Sequence, residues 1–271
     1  MPHHTDIMGV LNCTPDSFYA QSRVDGPAAA RAVAEQMVAD GADWLDVGGE
    51  SSRPGAEPVG VEEELRRVIP VLEALDGVGA RLSIDTYRAE TARRAIALGA
   101  ALVNDITGLR GDPEMPGVVA EAGCRCVVMH MAGTPMTMQA HPQYNDVVDD
   151  IKAFFEERLT ALTAAGIAEE QIWLDPGFGF GKSIDHNLEL LRRLREFTAL
   201  GRPILVGTSN KSTIGRVLDV DAENRTEGTA ATVAVAITNG AACVRVHDVC
   251  AMARVARMTD AIVYGRQESD G

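Results

Sequence analysis

Short apolar or β-branched runs recur along the chain and are separated by longer stretches in which apolar residues return with helical period. The runs are Ile7–Leu11, Trp44–Val47, Arg81–Ile84, Ala101–Val103, Arg125–Met129, Gln171–Leu174, Pro203–Val206 and Ala242–Val246. Between them lie helical patterns at Pro27–Ala39, Val61–Leu75, Ala89–Leu98, Tyr144–Ala165, Asn187–Leu200, Thr226–Asn239 and Val249–Val263, with a shorter one after Asp112. The first shows the expected punctuation, with Pro27 in its first turn and Gly41 past its end. Strands alternating with helices in this way build a parallel sheet, and eight of them predict a closed (β/α)8 TIM barrel, an α/β fold in one domain over 1–271 with its core at about 7–263. No low-complexity linker interrupts the pattern.

In such a barrel the chemistry sits at the C-terminal ends of the strands, so the residue following each run is informative. The runs lead into Asn12; Asp46 with Gly48-Gly49-Glu50-Ser51-Ser52-Arg53; Asp85; Asn104; His130; Asp175; Ser209-Asn210-Lys211-Ser212; and Arg245 with His247. A polar group at one strand end can simply cap the next helix. Their repetition around the barrel argues for a shared cavity. Asp85, Asn104 and Asp175 form an acceptor-rich wall suited to a flat heterocycle with amino and ring N–H donors. Lys211, Arg245 and His247 form a cationic wall where these barrels hold phosphate. Arg245 and His247, two apart on a strand end, point to the same side.

The strings LNCTPDSF, GGESSRPGAEPV, SIDT, VNDITG, MHMAGTP, LDPGFGFGK, SNKSTIG and RVHDV follow one another in order, one per strand, over roughly Ile7–Val263. In this the chain resembles the dihydropteroate synthase family of pterin-binding enzymes. The resemblance implies a transferase that condenses a pterin methyl diphosphate with p-aminobenzoate, a step of folate biosynthesis at which sulfonamides compete. It also implies that Asn12 binds the Mg²⁺ that escorts the diphosphate, and that Ser52, where the family usually has Thr, and Arg53 flank the substrate. By the same resemblance, Asp85, Asn104, Asp175 and Lys211 contact the pterin, and Arg245 and His247 the diphosphate. Ser212, at the start of a helix, offers its N–H to the aminobenzoate carboxylate. Lys211, Arg245 and His247 are the expected catalytic set, and a homodimer through the Ala- and Val-rich helix Thr226–Asn239 is expected.

Two departures from the family pattern fall on the second substrate. Phe18 is followed by Tyr19-Ala20-Gln21-Ser22-Arg23 in place of the usual Ser, Asp and paired Gly, and Asn210 stands where Arg usually precedes the motif lysine. They predict intact pterin diphosphate binding with weakened p-aminobenzoate and sulfonamide affinity. Two alternatives remain: a pterin-dependent methyltransferase, which has no need of Lys211, Arg245 and His247 together, and a catalytically weak or silent pterin-binding paralogue.

Charge bears on partners. With 25 Lys and Arg against 39 Asp and Glu, the formal net charge is −14, so nucleic-acid binding is not expected and an anionic ligand must meet a few local cations. No apolar run approaches the ~18 to 20 residues that span a bilayer, and no signal segment is evident, so a cytoplasmic protein without membrane contact is expected. Five cysteines without framework spacing predict reduced thiols. Cys124 and Cys126 read as packing residues, as do Met129, Met131, Met136 and Met138. Gly181-Lys182-Ser183 lacks the first glycine of a phosphate loop, and Lys182 reads as a solvated residue at a helix entry. Glu62-Glu63-Glu64 reads as a solvated helix N-terminus. His3, His4, His141 and His186 read as surface residues, and Ser209, His247 and Asp248 lack the turn of a hydrolase triad.

Overall fold

Along β1 (Asp6–Asn12) and β2 (Trp44–Gly48) every second residue faces the barrel axis, and the chain repeats this arrangement at β3 (Arg81–Asp85), β4 (Ala100–Asp105), β5 (Arg125–Met129), β6 (Ile172–Asp175), β7 (Leu205–Val206) and β8 (Cys243–Val246). The computed structural model describes residues 4–14, 26–53, 55–139 and 142–265. The eight strands are parallel, in the order β6-β5-β4-β3-β2-β1-β8-β7. A bridge between Leu174 and Ile204 brings the two edges together, so the sheet is a nearly closed barrel. The connecting helices are α1 (Pro27–Ala39), α2 (Val61–Ala74), α3 (Ala89–Ala97), α4 (Met115–Ala122), α5 (Val147–Ala164), α6 (Ile184–Arg192), α7 (Ser212–Leu218), α8 (Thr226–Thr238) and α9 (Val249–Tyr264).

Two expected helices are shorter than their patterns. The Asp146 carboxylate accepts from the backbone N–H groups of Val148 and Asp149, so α5 starts after this N-cap and not at Tyr144. The stretch Asn187–Leu200 is not one helix. It ends as α6 at Arg192 and resumes as a 3₁₀ segment over Leu194–Leu200, closed by Gly201 in the left-handed region.

The core has two parts. A large one lies between the strands and the helices and includes Cys124 and Cys126, as expected for packing residues. A smaller one fills the axis with Met8, Trp44, Leu102, Val127, Trp173, Leu205 and Cys243. Trp44 and Trp173 meet edge to face at 5.7 Å there, and the Arg81 guanidinium covers Trp44. This plug closes the N-terminal end. Two residues further along the same strands, the inward positions turn polar: Trp44 gives way to Asp46, Leu102 to Asn104, Trp173 to Asp175 and Cys243 to Arg245. The period of two that packs the lower layer therefore delivers the polar groups to the mouth.

All five cysteines are free thiols. Among the described residues no helix is long and apolar enough to cross a membrane.

Candidate active site

Asp46 is the hub of the barrel mouth. Fully buried on β2, it accepts from Ser83 Oγ at 2.5 Å, Asn104 Nδ2 at 3.0 Å and Arg245 Nε at 2.6 Å. Arg245 bridges onward through Nη2 to Asp85 Oδ2 at 2.7 Å. The two expected walls are thus joined: Arg245 is locked between carboxylates of the acceptor wall. Burial pushes the Asp85 carboxyl up to about 7 against the downward pull of Arg245, and Asp46, Glu64 and Asp105 push it the same way as burial. Asn104 spends its amide nitrogen on Asp46, which leaves its oxygen as the acceptor for a ligand.

Asp175 is fixed by its own turn. Its Oδ1 accepts from the Gly177 N–H at 2.7 Å, and Gly177 has φ of +70° with room for no side chain, since a Cβ would lie 1.9 Å from the His130 carbonyl oxygen. Burial raises the Asp175 carboxyl, opposed by the Gly177 bond and by Lys211, Lys182 and Arg245. Lys211 Nζ donates to the Phe178 carbonyl at 3.0 Å and lies 4.0 Å from the Phe180 ring centre. Burial lowers this lysine to about 8. Beside these groups, Ile106, Met129, Met131 and Met138 pack with Tyr87 and Phe180 into an apolar wall.

On β8 the His247 imidazole is held down to about 3 by burial, with Arg245, Lys211 and Arg53 adding to the shift. It is a neutral ring amid cations, hydrogen-bonded to Ser209 Oγ at 3.0 Å. Asp248 turns away to cap α9 through the Ala251 N–H, so these three residues form no triad. Asn12 ends β1 half-buried, opposite Gly48 in register, and Ser52 and Arg53 are half-buried in the loop after β2. Ser212 is the first residue of α7 and is exposed. Burial pushes the Cys13 thiol up to about 12 against the pull of Arg67.

Three expectations are corrected. Lys182 is not solvated: it is 3 % exposed, donates to the carbonyls of Phe180 at 2.9 Å and His130 at 3.3 Å, and lies 3.1 Å from His130 Nδ1. The loop after β6 folds back over β5 and carries it inward, and burial lowers it to about 7. Glu64 is also buried, because α2 turns it toward Thr86 and Thr91, whose hydroxyls it accepts. Of the four methionines, Met136 does not pack and is 65 % exposed. His186 is half-buried and caps α6 with Ser183. The altered segment Tyr19–Arg23 and the residues His3 and His141 lie outside the described residues. Asn210 sits in the left-handed region at φ +56°, its N–H donating to Thr229 Oγ1 and its carbonyl accepting from Arg225.

Sequence reading places Asp46 at a strand end without giving it a role, and misses Lys182. The signal for Asp46 was its inward position in an otherwise apolar run; for Lys182 there was none short of the loop's path.

An α/β barrel whose mouth sets buried carboxylates and an amide against lysine, arginine and histidine, beside an apolar wall, has the groups an enzyme needs to hold a flat polar heterocycle with an anionic tail. The chain matches the family model "Pterin binding enzyme" over residues 8–247. It is 45 % identical over 260 residues to the dihydropteroate synthase of Synechocystis, covering 95 % of this chain and 90 % of that one. The structure of Yersinia pestis dihydropteroate synthase with a sulfonamide drug superposes with a TM-score of 0.93 at 40 % identity, covering 96 % and 94 % of the two chains. That of the Clostridium difficile enzyme in the presence of pteroic acid gives 0.88 at 44 % identity, covering 97 % and 98 %. The chain belongs to the pterin-binding enzyme family and, within it, to the dihydropteroate synthases, which are transferases.

Proposed function

We propose that the chain joins 6-hydroxymethyl-7,8-dihydropterin diphosphate to p-aminobenzoate, forming dihydropteroate and releasing diphosphate. The observation that carries this reading is the set of groups at the strand ends: Asp175 lies in the field of Lys211, and Asn104 has its nitrogen on Asp46. A carboxylate opposite an amino group and a neighbouring ring N–H makes the paired contact a pterin offers. The apolar wall of Ile106, Met129 and Phe180 takes the ring face. The relatives agree, since one holds a sulfonamide and another was crystallised with pteroic acid, a pterin already joined to aminobenzoate.

In the reaction the bond from the pterin methylene to the diphosphate oxygen breaks and one from the methylene to the aromatic amine forms, with loss of one amine proton. Little acid or base catalysis is needed once the leaving charge is neutralised. Lys211 and the Arg245 donors not spent on Asp46 and Asp85 supply that neutralisation, with the neutral His247 ring beside them. Ser52, Arg53 and the Ser212 N–H receive the aminobenzoate. Two copies assemble through α8 and α9, and the protein works in the cytoplasm.

The donor set fits Mg²⁺ arriving with the diphosphate. Asn12, half-buried at the end of β1, carries an amide oxygen, a hard ligand of the kind magnesium takes in small number. The nearby carboxylates are committed to Arg245. His4, Asp6 and Asp43 cluster at the opposite end of the barrel, where the carboxylates serve Trp44, Arg81 and the Ile7 N–H. Held at Asn12, Mg²⁺ would supply charge neutralisation of the diphosphate.

Incubation with both substrates and Mg²⁺ should yield dihydropteroate by mass spectrometry, and Asp175→Asn should weaken pterin diphosphate binding about tenfold or more by calorimetry, since a donor then faces a donor. Pterin binding without product would identify a silent paralogue, and methyl transfer from a methylated folate would identify a methyltransferase. Unchanged binding in Asp175→Asn would refute the pocket.

A further inference from the structure

One carboxylate closes the base of the loop after β2. Glu50 accepts from the Val59 N–H at 2.9 Å, the Tyr87 hydroxyl at 2.8 Å and Arg88 Nη2 at 2.6 Å. The same Nη2 donates to the Val59 carbonyl and lies 2.9 Å from the Tyr87 oxygen. Arg88 Nη1 is 3.1 Å from Glu64, the buried carboxylate of α2 that also accepts from Thr86 and Thr91. Residues 50 and 59 are thereby tied to each other and to the corner between β3 and α3.

This is not an exposed ion pair, which would contribute little. The side chains of Arg88, Glu50 and Glu64 are 15, 12 and 1 % exposed. Charge-assisted bonds in such a setting fix geometry as well as energy. Ser52 and Arg53 lie inside the tied ring, and its far side meets the loop after β5 where the Gly55 N–H donates to the Pro135 carbonyl. Tyr87 has two faces in the arrangement: its hydroxyl holds Glu50, and its ring packs on the apolar wall of Ile106 and the methionines.

We propose that Arg88 is the positioning residue of the second-substrate loop, with Glu50 and Tyr87 as its clasp, setting Ser52 and Arg53 against p-aminobenzoate without touching the pterin edge. The proposal rests on the reading that this loop receives p-aminobenzoate. Among the described residues, the side-chain hydrogen bonds of the three run to one another and to Val59, with Glu64 beside Arg88, and not to Asn104 or Asp175. Their removal should therefore move the second substrate's KM and leave the first substrate's affinity alone.

The decisive variants are Glu50→Gln and Tyr87→Phe, which keep the buried Glu64 paired with Arg88. Glu50→Gln should raise the KM for p-aminobenzoate about tenfold, the loss of a charged hydrogen bond, and Tyr87→Phe about threefold. The Kd for pterin diphosphate should stay within about twofold of wild type, a split that general loosening of the fold would not produce. Amide exchange should speed at Val59 in both. Arg88→Lys, which keeps the charge and loses the fork, should lie between wild type and Arg88→Met. An unchanged KM for p-aminobenzoate in both Glu50→Gln and Tyr87→Phe, or equal weakening of both substrates, would overturn the clasp. A wild-type enzyme that forms no dihydropteroate would instead overturn the reaction on which the proposal rests.

Discussion

Asp46 makes three hydrogen bonds and donates none, so each of its hydrogen-bond partners is a donor. Asp46→Asn places an amide N–H₂ among Ser83, Asn104 and Arg245 and leaves the guanidinium with Asp85 alone. Because Arg245 keeps Asp85, the cost is that of charged hydrogen bonds lost to buried donors, about 1 to 3 kcal/mol. The variant should lose about that much in urea unfolding, and pterin diphosphate should bind at least about tenfold more weakly because Asn104 and Arg245 lose their common anchor. A variant matching wild type in both measurements would show that Asp46 anchors neither. The period of two shows from sequence that Asp46 points inward, but its partner Arg245 lies 199 residues away, and no local pattern carries a contact of that span. Lys182 illustrates the same limit. Its Gly-Lys-Ser context reads as a helix entry, which it is, while its depth follows from a loop that doubles back onto His130.

At the scale of elements, the strands were legible to within about two residues because each carries a short apolar run ended by a polar group, whereas helix ends depend on side-chain caps such as Asp146 that periodicity does not register. The helix read as needing a cover, α8, buries Thr229, Val233, Ala236 and Ile237 against the barrel and leaves Val235 outward. It packs beside α9, whose Met258 and Ile262 are 64 and 71 % exposed, with Val263 and Tyr264 next to them. Apolar exposure on two neighbouring helices is a surface a second copy would cover. Light scattering at micromolar concentration should give the mass of two chains, and Ile262→Glu should reduce it to one while secondary structure persists, since the side chain has no place in the barrel core. A monomer mass for the wild type would refute the assembly.

For the molecule as a whole, acid response follows from groups buried against their preferred charge. His130 is held neutral down to about 3 by burial, reinforced by Lys182 and Arg110, and His247 behaves likewise. Between about 6.5 and 3 the unfolded chain takes up protons at these rings that the folded chain refuses, so each contributes a loss of stability as pH falls. Asp85 and Asp105 act in the opposite sense: burial raises them to about 7 and about 6, so from there down to the unfolded value of 3.8 the folded state binds the extra protons. The opposing slopes partly cancel between about 6 and 4, which makes the wild-type profile shallow there and hides the imidazoles. A difference measurement exposes them. His130→Gln gives up the contact to Lys182 and should be less stable than wild type at pH 7.5, but it carries no proton penalty at position 130. Its deficit in urea unfolding should therefore shrink as pH falls from 6.5 toward 4, by at most about 1.4 kcal/mol per pH unit. A deficit that stays constant over that range would show that His130 titrates normally in the folded protein.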